Sequence, residues 1–108
     1  MKYTNFTNLA ADAVKGLLEG TVLTKSDSFT LGKEDRAAYL GITLSAASKT
    51  VTLGLPDNAV CLVVNEGGTN AFTLKNVSGD SGTSIAAGKA ALVRASTTAN
   101  STNVYMLN

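Results

Sequence analysis

The chain holds no histidine and a single cysteine, Cys61, so the side chains most often used to move protons or attack carbonyls are scarce. Cys61 sits in AVCLVV, the most apolar run of the sequence. A thiol nucleophile normally works beside a general base. Without one, Cys61 reads as a small buried hydrophobe. It has no partner in the chain, which excludes an intrachain disulfide. A Ser–His–Asp arrangement cannot form, and the Cys/His clusters of zinc sites are missing. Glu34 and Asp35 are adjacent and would point apart in a strand. Asp80, in SGDSG, is the carboxylate best placed to help hold calcium, but a lone carboxylate in a turn makes a poor cation site. Gly67–Gly68 and the Gly79 to Gly82 turn fit neither a phosphate loop nor a dinucleotide fingerprint. The expectation is a protein without catalytic, metal or cofactor residues, and not an enzyme.

Other residues suit binding. Tyr3, Tyr39 and Tyr105 could stack on sugars, and the Ser/Thr/Asn loops could bond glycans. Both features are equally what strand edges and turns of a β protein require. Sequons occur at Asn5, Asn76 and Asn100. No apolar signal region follows the N-terminal lysine, so chance accounts for them and synthesis in the cytoplasm is expected. The net charge is +1, with acids and bases evenly mixed. That balance offers no field for nucleic acid. No stretch approaches membrane-spanning length.

The elements that must position any site are mostly strands. Residues 8–19, NLAADAVKGLLE, predict one short helix, with Leu9, Ala13, Val14, Leu17 and Leu18 near one face. Asn8 or Thr7 caps it and Gly20 ends it. TVLT and SFTL are candidate short strands around a charged cluster, Lys33 to Arg36. From residue 42 a period of two takes over: Ile42 and Leu44, then Val51, Leu53 and Leu55, then Phe72 and Leu74 alternate with polar residues. The AASK between the first two runs is short enough for a hairpin. Residues 59–65, AVCLVVN, are apolar on both faces and predict a central strand covered on both sides. TSIAAGKAALVRAS gives a strand, a turn at Gly88 and a longer strand, and NVYMLN closes the chain. About seven or eight strands at short spacing predict a mainly β fold, an antiparallel sandwich or small barrel. The division expected is 1–41, a helix and irregular segment, and 42–108, the β module. Aromatics make up only 6% of the chain. So thin a core favours association.

The stretches VVNEGGTNAFTLKN, TSIAAGKAALV and TNVYMLN resemble the β modules of tailed-bacteriophage virion surface proteins, of the capsid-decoration and head-fibre type. The resemblance covers residues 42–108. It implies a non-enzymatic protein on the outside of the virion. Such a protein binds the major capsid protein of the assembled shell, stabilises it by mass action, and associates as a homo-oligomer, a trimer foremost. Docking would fall to residues 1–36, which carry ten of the seventeen charged residues, with Tyr3, Phe6, Leu9, Val14, Leu17, Lys33 and Arg36 as contacts. The alternatives are a carbohydrate- or receptor-binding module of a phage fibre and a head–tail or tail component. No nucleic acid or membrane partner is implied, and glycan contact stays open.

Overall fold

A computed structural model describes residues 19–108. The expected helix, apart from Glu19, lies outside them, as do Tyr3, Phe6, Leu9, Val14 and Leu17. Among the described residues nine strands form two mixed sheets, and neither sheet closes into a barrel. The strands are β1 (Thr21–Lys25), β2 (Phe29–Thr30), β3 (Tyr39–Leu44), β4 (Lys49–Thr52), β5 (Val60–Asn65), β6 (Phe72–Lys75), β7 (Thr83–Ile85), β8 (Ala90–Arg94) and β9 (Asn103–Met106). TVLT and SFTL do supply strands, β1 and β2. Residue 42, the expected start of the β module, falls inside β3.

The five-stranded sheet has the order β1-β3-β5-β8-β9, and the four-stranded sheet the order β2-β4-β6-β7. Up to β6 the chain alternates between the sheets. Each strand therefore lies beside the one laid down a full coil earlier, and parallel to it. Thr21 pairs with Leu40 and Leu40 with Val63 in one sheet. Phe29 pairs with Val51 and Val51 with Leu74 in the other. The expected all-antiparallel arrangement is thus corrected: only β5–β8, β6–β7 and β8–β9 are antiparallel. The AASK segment is not a hairpin. It is a corner that carries the chain from β3 in one sheet to β4 in the other.

The inward rows follow the period of two. Leu40, Ile42 and Leu44 of β3, Cys61 and Val63 of β5, and Ala91 and Val93 of β8 are buried. They share one core with Val51, Phe72, Leu74 and Ile85 of the other sheet. Leu31, Leu53, Leu55 and Ala95 extend that core beyond the strand ends.

The corners bury backbone polar groups, which must be satisfied internally. Two fully buried asparagines do this. The Asn76 side-chain carbonyl accepts the Leu55 amide at 2.9 Å. Its NH2 donates to the carbonyls of Leu55 at 3.1 Å and Ser96 at 2.8 Å. Asn65 donates to the carbonyls of Asn70 and Ile85, both at 2.9 Å, and accepts the Gly67 amide at 3.0 Å. The sequon at Asn76 is therefore a structural clamp with no free amide. One glycine is also required: Gly82 has φ +86, and a Cβ there would collide with the Thr73 methyl.

Truncating Asn76 strands the Leu55 amide and two carbonyls in the interior. Asn76→Ala is expected to lower stability by about 2–4 kcal/mol. Urea denaturation of wild type and variant measures it, and a loss of a few tenths would contradict the clamp.

Candidate interaction surface

The outer face of the five-stranded sheet carries large apolar or aromatic side chains on all five strands. Register sets two rows. In the first, Tyr39 stands opposite Leu62, Leu62 opposite Leu92, and Leu92 opposite Tyr105. In the second, Val22 stands opposite Gly41, Gly41 opposite Val64, and Val64 opposite Ala90. Leu107 continues the second row, its amide donating to the Ala90 carbonyl at 2.9 Å. Several of these side chains are well exposed: Val22 64%, Leu92 41%, Tyr105 55% and Leu107 58%, with Val60 at 57% beyond the first row.

β5 explains why the face has this character. The sequence predicts a strand covered on both sides. Its inner residues Cys61, Val63 and Asn65 are buried as expected. Its outer residues are not covered: Leu62 and Val64 are half-buried and Val60 is exposed. β5 is central in its sheet, flanked by β3 and β8, yet among the described residues only one of its faces is packed.

A polar pair frames the first row. The Tyr39 hydroxyl donates to a Glu66 carboxylate oxygen. The carboxylate lies over Gly41, where any Cβ would collide with it. That hydrogen bond, helped by burial and the Glu66 charge, holds the Tyr39 hydroxyl above the ordinary tyrosine range. Glycine at position 41 leaves room for this carboxylate to cross β3, and a side chain there would displace it.

The remaining candidates have structural positions. Lys33 is exposed on a short 3-10 turn, Lys33–Asp35, between β2 and β3. Arg36 follows it and donates to the Gly54 carbonyl at 2.6 Å, while its Nε is buried without a partner. Arg36 therefore ties the first coil to the second. Asp80 is buried and commits both carboxylate oxygens to backbone donors. One accepts Asn76 at 2.9 Å and Val77 at 3.2 Å, and the other accepts Asn100 at 2.6 Å. Among the described residues no group of three or more His, Cys, Asp or Glu side chains could hold a metal ion. None of their helices is long and apolar enough to cross a membrane. An open groove of about 330 Å³ runs along the other sheet, lined by Ser48, Lys49, Thr69, Asn70, Thr73 and Ser84 among others.

Burial opposes ionisation of Asp80, but its backbone donors and the nearby Lys75 outweigh it and hold the carboxyl below the usual range. Asp27 is lowered by the Ser28 amide and Lys49, and Asp57 by Thr97. Depressed carboxylates stabilise the fold above the unfolded value of about 3.9, and that contribution is lost as pH falls through the folded values. The thermal midpoint is expected to drop below about pH 4. Asp80→Asn should lower the midpoint at neutral pH and flatten the acid limb. An acid limb of unchanged slope in the variant would remove Asp80 from this role.

Burial alone pushes the Cys61 thiol up to about 11. A disulfide reagent at pH 8 should leave the native thiol unmodified and react at once in denaturant. Rapid native labelling would show that β5 opens.

Against known protein families, curated proteins and solved structures, the chain finds no match.

Proposed function

We propose that this chain is a non-enzymatic surface protein of a phage virion that docks on the outside of the assembled capsid and stabilises it. What supports the reading is the place in the fold of residues 19–36, the described part of the expected docking segment. β1 and β2, the two strands that fall within residues 1–36, are the edge strands of their sheets and together make the first coil. Exposed Lys33 stands in the turn just after them. Residues 19–36 thus lie at one end of the stack of coils, and the remaining strands lead away from them. This polarity, a docking end and a projecting body, suits a protein that must attach at one end and stand clear at the other. A ligand that binds the assembled shell but not its separated subunits stabilises the shell by its binding free energy.

A fibre module that binds glycans is the second reading. The groove lined by Ser48, Lys49, Thr69 and Asn70 favours it, since hydroxyl and amide groups converge there.

Incubating the full-length chain with expanded, undecorated shells separates the two. Saturable co-sedimentation and a raised shell disruption temperature are expected. Lys33→Glu should weaken binding several-fold, while Thr98→Glu, in the exposed loop between β8 and β9, should leave it unchanged. No shell binding, with saturable binding to a glycan array, would transfer the assignment to the fibre reading.

A further inference from the structure

We infer that the outer face of the five-stranded sheet is a self-association surface, occupied by further copies of this same chain. The inference does not depend on capsid docking, which is assigned to the first coil.

Three observations converge on it. The first is β5. This central strand, parallel to β3 and antiparallel to β8, is apolar on both faces, and its Val60, Leu62 and Val64 face outward. The second is area. From the exposures of Val22, Val60, Leu92, Tyr105 and Leu107, roughly 500 Å² of apolar side chain is open, at the upper range for the largest patch of a monomer. With half-buried Tyr39, Leu62 and Val64 between them, the face approaches the roughly 800 Å² per partner of a stable interface. The third is width. The exposed residues run from Val22 on β1, one edge of the sheet, to Tyr105 on β9, the other. Five strands at about 4.8 Å spacing separate those edges by roughly 19 Å. A second copy brings a surface of the same width and the same apolar character.

The composition of the face suits this occupant. Leu92 stands beside Tyr105 at its β9 side, and interfaces are enriched in such aromatic residues. The two charged side chains at the face are already engaged within the chain. Arg94, opposite Val60 and Asn103, is held by the Asn58 side-chain carbonyl at 2.7 Å. Glu66, whose carboxylate lies over Gly41 in the second row, is held by Tyr39.

Light scattering of the full-length chain tests this. The wild type is expected to be oligomeric at micromolar concentration. Leu92→Lys and Tyr105→Lys, each placing a charge in the first row of the face, should shift it to the monomer mass with unchanged circular dichroism. Hydroxyl-radical footprinting of the wild type gives the answer without substitution: Tyr105 and Leu107 should be protected in the oligomer and labelled on dilution. A wild type that stays monomeric overturns the inference, as does an oligomer whose mass survives both lysine substitutions with Tyr105 freely labelled. A monomer with Tyr105 protected would assign the face to residues 1–18 and also overturn it. Shell binding is a separate readout. A monomeric Leu92→Lys chain that still binds shells leaves docking intact, and an oligomer that binds no shell leaves the self-association surface intact.

Discussion

A chain that winds between two facing sheets must turn a corner each time it changes layer, and each corner carries amides and carbonyls where water cannot reach them. Asn65 and Asn76 meet that constraint. Each is fully buried, and each satisfies three backbone groups from separate segments. Asn76 joins the exit of β4 to the loop after β8, and Asn65 joins the end of β5 to the segments before β6 and after β7. Unmet, those groups would each cost about 1–3 kcal/mol. The coil closes only because an amide side chain can accept and donate at once.

With the corners fixed, the rest is determined by the period of two. Inward rows from both sheets meet in one core built from Val, Leu, Ile and Ala with Phe72 as its largest member. Such a core is thin for a chain of this size. The outward rows differ between the sheets. On the four-stranded sheet they read Thr73 and Lys75 on β6, and Ser84 on β7. On the five-stranded sheet they read Tyr39, Leu62, Leu92 and Tyr105. The two sheets thus differ in the character of their outer faces. Under the inferred self-association the thin core and the apolar outer face have a common resolution, since association supplies burial that one chain lacks.

The inward residues were legible from alternation alone. Ile42, Leu44, Val51, Leu53, Leu55, Phe72 and Leu74 are all buried, and so is Cys61. Strand direction was not legible. A short polar linker such as AASK fits a hairpin and an interlayer corner equally well, and alternation is the same in parallel and antiparallel ladders. The clamps were hidden too: Asn76 opens a sequon, and nothing local distinguishes a chance sequon from a buried amide. The crossing of Gly41 by Glu66, far along the chain, was hidden as well. The double-faced apolarity of β5 was read as a covered strand. That reading holds for one face within the described residues, and the other face carries the inference of self-association.

The central claim, that this fold is completed by association through its five-stranded sheet, is tested most directly by the unfolding midpoint as a function of chain concentration. Where folding and association are linked, the midpoint rises with concentration by mass action, here over a roughly hundredfold range. A midpoint constant across that range would contradict it.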